Sequence, residues 1–156
     1  MDADRARQLI HDIRFCVLST SAQDGQPWVS PLFFNYDPSY RIVFESAKDA
    51  RHSRNIASNP RVAIVIARLL ARDPILGVYL ECEAREVPVE RLPEALEVFK
   101  DGPHRKQESA KRKVTDYLDD KPLRLYEAVH HKSYILTQIR TPEGYTIDQR
   151  VEITLV

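Results

Sequence analysis

The chain has 156 residues, enough for one domain with a hydrophobic core of its own. Its 23 basic and 23 acidic residues cancel, which leaves no overall electrostatic footprint for nucleic acid. No apolar run approaches the roughly 20 residues that span a bilayer, and the opening sequence, MDADRARQLI, lacks the apolar centre of a signal peptide. We therefore expect a single cytoplasmic domain, residues 1–156, that binds neither nucleic acid nor membranes.

The first part of the chain predicts a short helix followed by strands. Apolar residues at helical spacing indicate an amphipathic helix over residues 3–13. Asp24-Gly25 and Asp37-Pro38 are turn signals between β-rich runs, and the first of them favours a hairpin. Pro31 removes a donor from the hydrogen-bond ladder, so its strand belongs at a sheet edge or a bulge. The predicted strands are residues 15–21, 28–36 and 40–45.

The stretch 44–60, FESAKDARHSRNIASNP, predicts the end of a strand, a short basic helix and a stop. Ser46 is a favourable N-cap residue, and Asp49 stands where a capping-box carboxylate would. Asn59-Pro60 ends the helix, because the residue before a proline avoids the α region. The free N–H groups of the first helical turn, with positive charges close by, predict a phosphate site. The alternative is the solvated face of a surface helix. The charged residues concerned are Lys48, Arg51, His52 and Arg54.

The rest of the chain predicts further strands with two helices between them. Residues 61–67 form a continuous apolar run typical of a buried strand, whereas residues 77–87 alternate between apolar and polar side chains. Asp73-Pro74 between them indicates a loop. Consecutive strands joined by tight turns, with no G-x-G-x-x-G after any of them, favour a mostly β, antiparallel barrel over a Rossmann fold. The remaining predictions are helices near 89–99 and 110–118 and strands over 123–129, 133–140 and 150–156, of which the first two can form one bent strand.

The cysteines and histidines predict no metal site. Cys16 and Cys82 fall inside strand-like runs without metal-ligand spacing, so we expect buried free thiols. His130 and His131 are neighbours in a β-like run, so their side chains face opposite sides of the sheet. The basic stretch 104–113 lacks aromatic residues and predicts a solvated helix, not a nucleic-acid site.

Three blocks of the sequence resemble a known family. They are VLSTSAQDGQPWVSPLFFNYD, RIVFESAKDARHSRNIASNPRVAIVI and GVYLECEAREV, which together run from residue 17 to about residue 87. In order and spacing they are similar to the pyridoxamine 5′-phosphate oxidase-like flavoproteins, the FMN-binding split barrels. The Asn-Pro-Arg-Val after the basic helix is the most specific part. The resemblance implies a six- to seven-stranded antiparallel split β-barrel with flanking helices, and a homodimer with FMN at the subunit interface.

The resemblance also implies a cofactor site in three parts. Main-chain groups of the second strand line the isoalloxazine ring, the end of the third strand contacts the ring and the ribityl chain, and the following helix binds the phosphate. Tyr134, Gln138 and Arg150 are candidates for contacts from the partner subunit. The implied cofactor-binding residues are Ser30, Pro31, Leu32, Phe33 and Asn35 on the second strand, Glu45 and Ser46 at the end of the third, and Lys48, Arg51 and His52 around the helix.

Two departures from the family pattern limit the functional expectation. His52 stands where the family often has lysine, and a neutral imidazole brings no full charge at pH 7. Gly77 stands near the place of a flavin-contacting glutamine. The oxidase also binds the phosphate of its substrate through an Arg and His pair near a Trp contact, and this sequence lacks that pair. Vitamin B6 oxidation is therefore not expected. We expect an FMN-dependent oxidoreductase, similar to flavin reductases or oxidases, acting on an unassigned small molecule, with no catalytic residue assigned. The alternative is a non-catalytic split barrel that binds or senses flavin, F420 or haem.

Overall fold

The computed structural model describes residues 1–69, 75–104 and 106–156, and the predicted loop at Asp73-Pro74 lies outside the described residues. Three helices and eight strands follow one another in this part of the chain. Short 3₁₀ turns lie at Val89–Arg91, Ser109–Lys111 and Val114–Tyr117. The elements are α1 (Asp2–Asp12), β1 (Phe15–Ser21), β2 (Pro27–Phe33), β3 (Asn35–Tyr36), β4 (Ile42–Ala47), α2 (Arg51–Ser58), β5 (Arg61–Arg68), β6 (Leu76–Glu86), α3 (Leu92–Asp101), β7 (Leu123–Arg140) and β8 (Thr146–Ile153).

All eight strands belong to one antiparallel sheet, in the order β2-β1-β5-β6-β7-β4-β3 with β8 paired to β7. The long strand β7 pairs with β4 through its first part and with β8 through its last part. A register shift between Glu81 and Cys82, where β6 faces β7, accommodates the bend of this strand. The predicted mostly β, antiparallel split-barrel fold is confirmed. The sheet is open and has eight strands, not six or seven, because the predicted second strand divides.

The division occurs at Phe34, a fully buried residue between β2 and β3. Before it, β2 pairs with β1; after it, the two residues of β3 pair with β4. The chain therefore changes partners within the predicted strand 28–36. Pro31 lies on β2 at the edge of the sheet, as predicted for a residue without a backbone donor.

Two hydrophobic cores lie on the two sides of the sheet. The larger one is formed by the inward side chains of the strands, with α1 and α2 packed against them, and it includes Ile10, Leu18, Phe44, Ile64 and Leu80. The smaller one lies between β4, β7 and α3, and it includes Val43, Leu96, Phe99, Tyr117 and Leu125. Successive residues of β4 therefore alternate between the two cores, which decides where the side chains of the candidate site point.

Two helix predictions in the second half are wrong. Residues 110–118 form two separate 3₁₀ turns, because Arg112 between them has an extended backbone (ψ 143°). The guanidinium of Arg112 and the hydroxyl of Tyr117 both bind Glu45, and this long-range contact replaces a regular helix. The predicted solvated helix over 104–113 is also wrong, since His104 is 3% exposed and its Nε2 lies 2.9 Å from the carbonyl oxygen of Ile10 in α1. No helix of the described chain has the length and apolar character needed to cross a membrane.

Gly102, at the end of α3, is placed against Asn35. A Cβ at this position would lie under 3.0 Å from the amide oxygen of Asn35 and 2.6 Å from the carbonyl oxygen of Val98. We expect Gly102→Ala to destabilise the protein by about 2–3 kcal/mol in urea unfolding, because overpacking adds to the loss of buried hydrogen bonds. The control is Gly77→Ala, whose Cβ would meet only the movable ring of Tyr79 at 3.3 Å. Equal stability of the two variants would contradict the prediction.

Candidate cofactor site

The helix α2 lies directly after β4, and it begins at Arg51, not at residue 47 as predicted. Ser46 belongs to β4, and the N-cap is Ala50, with an extended backbone (φ −62°, ψ 150°). The predicted capping box with Asp49 is therefore wrong, whereas the predicted stop before Asn59-Pro60 is confirmed. The helix has no side-chain cap and no acidic residue in its first turn. Its N-terminal N–H groups and dipole consequently remain available to an anion.

The imidazole of His52 joins β2, β4 and α2. Its Nδ1 lies 3.1 Å from the hydroxyl of Ser30, and its Nε2 lies 2.6 Å from the hydroxyl of Ser46. In either neutral tautomer one ring nitrogen donates and the other accepts, so the two hydroxyls satisfy the ring. His52 is 8% exposed, and burial lowers its pKa. Three of the predicted residues thus lie together, but His52 acts as a neutral bridge and not as a replacement for a lysine.

The guanidinium of Arg51 lies over the ring of Trp28, with its central carbon 4.4 Å from the ring centroid. Trp28 precedes Ser30 by two residues on β2, so both side chains lie on the face of the strand that meets α2. The stacking holds the long side chain of Arg51 in one orientation while the N–H groups at its edge stay accessible. Trp28 is not among the predicted cofactor-binding residues, although its two-residue spacing from Ser30 indicates that it shares this face.

Lys48 and Arg54 fix the turn before α2. The backbone N–H of Lys48 donates to the carbonyl of Pro122 at 2.9 Å, and the guanidinium of Arg54 donates to the carbonyl of Asp49. Both residues also line a cavity of about 380 Å³ between α2 and β6. Of the basic residues around α2, Arg51 is therefore the one whose charged group is held beside the start of the helix on the Trp28 side.

The three remaining residues of β2 point in different directions. Leu32 packs against the larger core, whereas Phe33 packs against the smaller one, with its ring edge-on to Phe99 at 5.9 Å. Lys106 lies over the exposed side of the Phe33 ring, 5.5 Å from its centroid. Pro31 is exposed. These residues are predicted to contact a flavin ring through their main-chain atoms, and the contacts stay a prediction.

The side chains of Asn35 and Glu45 are used by the fold. The amide nitrogen of Asn35 donates to the carbonyls of Phe99 at 3.2 Å and His104 at 2.8 Å, and its oxygen accepts the N–H of His104 at 3.0 Å. The carboxylate of Glu45 accepts two hydrogen bonds from Arg112, at 2.7 and 3.0 Å, and one from the hydroxyl of Tyr117 at 2.7 Å. These side chains therefore lie apart from the group around His52, so that only their backbones remain for a cofactor.

An apolar cavity of about 520 Å³ opens on the outer face of the sheet. The guanidinium of Arg150 lies over the ring of Tyr79 at its edge, 5.1 Å from the centroid. Val17 and Val29, which line it, are 39% and 60% exposed. Two of the residues predicted to contact a partner subunit, Tyr134 and Arg150, lie in its wall. The other lining residues are Ser19, Ala63, Ile64, Val65, Leu80 and Glu81.

A family model described as pyridoxamine 5′-phosphate oxidase matches residues 3–123 of this chain. The chain belongs to the pyridoxamine 5′-phosphate oxidase family. The matched segment contains β1 to β6 and the whole region around α2. No curated protein matches the sequence.

Solved structures share the fold of this pyridoxamine 5′-phosphate oxidase family member. A heme binding protein from Mycobacterium smegmatis aligns over 97% of this chain and 58% of its own length, with 21% identity and a TM-score of 0.70. A FAD-binding protein from Mesorhizobium loti aligns over 85% of this chain and 90% of its own, with 18% identity and a TM-score of 0.62. HutZ, a heme storage protein from Vibrio cholerae, aligns over 82% and 89%, with 15% identity and a TM-score of 0.59. The chain thus spans little more than half of the first of these proteins. At these identities the similarity concerns the fold alone.

Two buried histidines and one half-buried histidine of this family member predict a loss of stability in mild acid. Burial lowers the pKa of His52, His104 and His130, so the unfolded chain binds more protons than the folded chain below the ordinary value of 6.5. We expect the free energy of unfolding to fall between about pH 7 and pH 5.5, and His52→Gln to make this fall shallower. Urea unfolding across this pH range measures it, with the exposed His131→Gln as the matched control. A profile of His52→Gln as steep as that of the unaltered protein would contradict the assignment of His52 as a neutral bridge.

Proposed function

We propose that this chain is an FMN-dependent oxidoreductase, related to flavin reductases and oxidases, that acts on a small molecule. The observation that carries the proposal is the uncapped, acid-free start of α2 with Arg51 held over Trp28 beside it. Peptide N–H groups at a helix start and a guanidinium fork are the donors that a phosphate monoester prefers. Family membership supports a flavin as the carrier of that phosphate.

The residues around α2 fit a flavin phosphate in two ways and differ from the family pattern in one. Arg51 supplies the fixed cation, and the uncapped first turn of α2 supplies peptide N–H donors, whereas Lys48 lines the cavity between α2 and β6. The main chain of residues 30–33 on β2 and of Glu45 and Ser46 on β4 would provide polar groups for the isoalloxazine ring. His52 adds no charge, since it is buried as a bridge between two hydroxyls. When bound, the flavin carries the electrons, and the protein contributes binding, orientation and exclusion of water.

A second copy of the chain is part of this proposal. The outer sheet face around Val17, Val29 and Tyr79 presents apolar side chains to solvent, and an exposed apolar patch of this kind favours burial against a partner. Tyr134 and Arg150 would then be contributed to the interface. We also place the protein in the cytoplasm, where the buried free thiols Cys16 and Cys82 stay reduced. Burial raises the pKa of each thiol to about 12, which makes both unreactive.

The test is a titration of the purified chain with FMN. Binding quenches flavin fluorescence, and we expect the bound flavin to be reduced by NADPH or NADH. Light scattering should give the mass of a dimer. A chain that leaves flavin fluorescence unchanged at micromolar protein would overturn the proposal. FMN binding without any reduction by either nicotinamide would exclude a flavin reductase and would favour an oxidase or a non-catalytic flavin protein. F420, which also joins a ring to a phosphate, is titrated in parallel.

The second candidate is a non-catalytic protein that binds or senses haem. The observation that favours it is the apolar cavity of about 520 Å³ on the outer face, with Arg150 at its edge for a carboxylate. Glu81 lines this cavity and a neighbouring polar one that contains His131, with His131 Nε2 3.6 Å from the carboxylate of Glu81. The heme proteins among the structural relatives support it. Haem is added to the purified protein. A shift of its Soret band with the unaltered protein, and no shift with His131→Ala, would favour haem binding, whereas a Soret band unchanged by the unaltered protein would exclude it.

A further inference from the structure

The cavity of about 380 Å³ between α2 and β6 lies on a side of the helix that neither Arg51 nor His52 lines. Most of its charged lining residues are basic, two of its polar residues are buried, and the rest of its wall is apolar. The cavity is therefore separate from the candidate flavin-phosphate site at the start of α2.

Positive charge converges on this cavity from three segments of the chain. Lys48 lines it from the turn before α2, Arg54 from the helix and Arg85 from β6. The ammonium group of Lys48 forms no ion pair within the described chain, and the guanidinium of Arg54 is bound to a carbonyl, which carries no full charge. The Nε of Arg85 lies 2.8 Å from the buried carboxylate of Glu127, which compensates its charge. The charges of Lys48 and Arg54 therefore remain uncompensated.

The acidic residues near the cavity do not neutralise these two charges. Glu86 is the acidic residue of the lining, and it forms an ion pair with Arg124 at 3.1 Å. Asp49, in the turn before α2, is exposed and forms no ion pair with Lys48 or Arg54 in the part of the chain that the structure describes. Two uncompensated cations that line one cavity favour a ligand with two negative charges.

A buried hydroxyl at the base of the cavity supplies the second observation. Tyr126 lines the cavity although it is 3% exposed, and its ring is stacked on that of Phe44, with centroids 5.4 Å apart. Burial raises the pKa of Tyr126, so its phenol keeps its proton at neutral pH and can donate a hydrogen bond. The neighbouring hydroxyl of Ser53 donates to the carbonyl of Ala47 at 2.7 Å, which fixes it beside the phenol. An anion in the cavity would thus meet a rigid neutral donor as well as positive charge.

The walls of the cavity are held in place by interactions that do not depend on a ligand. The backbone N–H of Lys48 donates to the carbonyl of Pro122 at 2.9 Å, and the N–H of Ala84 donates to the carbonyl of Pro60 at 2.8 Å. Ile56 and its neighbours give the side of the cavity an apolar surface. The cavity is therefore preformed, which lowers the entropic cost of binding.

We propose that this cavity binds a small organic phosphate, whose phosphate group is bound by Lys48, Arg54 and the hydroxyl of Tyr126 and whose carbon skeleton packs on the apolar side. A guanidinium fork and an ammonium group are the cations that proteins use for phosphate. The volume suits a molecule of metabolite size. This site stands independently of the flavin proposal.

The experiment compares a dianion with a monoanion of similar shape on the full chain. Phenyl phosphate and phenyl sulfate are titrated by ligand-observed NMR at about pH 8, where the phosphate ester carries two charges. We expect phenyl phosphate to bind about tenfold more tightly than phenyl sulfate, and added salt to weaken it. No binding of phenyl phosphate at millimolar concentration, or equal binding of the two esters, would overturn the proposal. Inorganic phosphate that binds as tightly as phenyl phosphate would overturn the assignment of an organic ligand.

Variants assign the binding to this cavity. The double variant Lys48→Gln with Arg54→Gln should weaken phenyl phosphate binding about tenfold. Tyr126→Phe, which removes the hydroxyl and keeps the ring, should weaken it about threefold. The matched control, Lys111→Gln with Arg140→Gln, makes the same change of charge at exposed positions elsewhere. Thermal unfolding verifies that each variant folds. If the cavity variants bind phenyl phosphate as the control does, the site is wrong.

Arg51→Ala separates this site from the start of α2. Because Arg51 does not line the cavity, this variant should bind phenyl phosphate as the unaltered protein does. Binding that is lost in Arg51→Ala and kept in the double variant would place the phosphate at the start of α2 and would overturn the second site. A chain that binds phenyl phosphate in this way but does not bind FMN would overturn the flavin proposal alone.

Discussion

Replacing Arg51 by alanine is expected to weaken FMN binding about tenfold to a hundredfold, which corresponds to the loss of one charge-assisted phosphate contact. Arg51 is the cation held beside the start of α2, because its guanidinium rests on the ring of Trp28. The other basic residues of this region cannot fully replace it, since Arg54 is bound to the carbonyl of Asp49 and His52 is neutral between two serines. Fluorescence titration of FMN with the two proteins measures the effect.

Riboflavin provides the sharpest control for this prediction, because it has the same ring and no phosphate. Arg51→Ala should leave riboflavin affinity unchanged, and Arg61→Ala, which removes an exposed arginine at the start of β5, should leave both affinities unchanged. Trp28 is the single tryptophan of the chain, so its fluorescence reports directly on the Arg51 side chain during the titration. Equal losses of FMN and riboflavin affinity would place Arg51 away from the phosphate and would contradict the proposed orientation.

The helix of the candidate site follows from the sequence, but the contacts of its side chains do not. The basic helix between a strand end and Asn59-Pro60 follows from local rules, and the structure has it there. The start of the helix was misplaced because Ser46, a good N-cap by local rules, has its hydroxyl taken by His52. A contact between a strand residue and a helix residue depends on the relative position of both elements. Propensity alone does not contain that information.

Asn35 and Glu45 illustrate the same limit at longer range. Their side-chain partners, Phe99 and His104 for the first and Arg112 and Tyr117 for the second, lie more than sixty positions further along the chain. The family resemblance placed both residues near a cofactor by position. The structure shows that their polar groups serve the packing of the segment after α3 against β3 and β4.

The strands were predicted more successfully than the helices of the second half. Alternation of apolar and polar residues in β6 and the continuous apolar run of β5 reflect burial on one or both faces, and burial is a strong local signal. The bent strand β7 was also predicted, as two runs that join. The helix predicted over residues 110–118 is wrong. Their apolar positions match helical spacing, but the ion pair with Glu45 holds the backbone of Arg112 extended.

Replacing Glu127 by glutamine is expected to cost about 3 kcal/mol in the free energy of unfolding, because three guanidinium groups lose the buried carboxylate that accepts their hydrogen bonds. The side chain of Glu127 is 1% exposed and accepts hydrogen bonds from Arg41 at 2.8 Å, Arg85 at 2.8 Å and Arg91 at 2.7 Å. These arginines come from the turn before β4, from β6 and from the turn before α3, so one carboxylate ties three elements together. Urea unfolding of the purified variant measures the loss.

The control for this prediction is Glu86→Gln. It breaks the ion pair between Glu86 and Arg124, which lie 3.1 Å apart, and the side chain of Glu86 is 53% exposed. An exposed pair of this kind should contribute less than about 1 kcal/mol. If Glu127→Gln costs no more than Glu86→Gln, the buried network makes no net contribution to stability.

The pH dependence gives the Glu127 network a separate signature. Burial by itself raises the pKa of Glu127, but hydrogen bonds from Arg85 and Arg41 lower it further than burial raises it, so the net pKa lies below the ordinary 4.5. A carboxylate with a lowered pKa contributes its full stabilisation above the unfolded value, and that contribution disappears as the pH falls through the folded pKa. The difference in unfolding free energy between the unaltered protein and Glu127→Gln should therefore be constant near neutral pH and should shrink below about pH 4.5. A difference that stayed constant down to the acid transition would mean that the variant loses packing and not the charge, because only the charge titrates in this range.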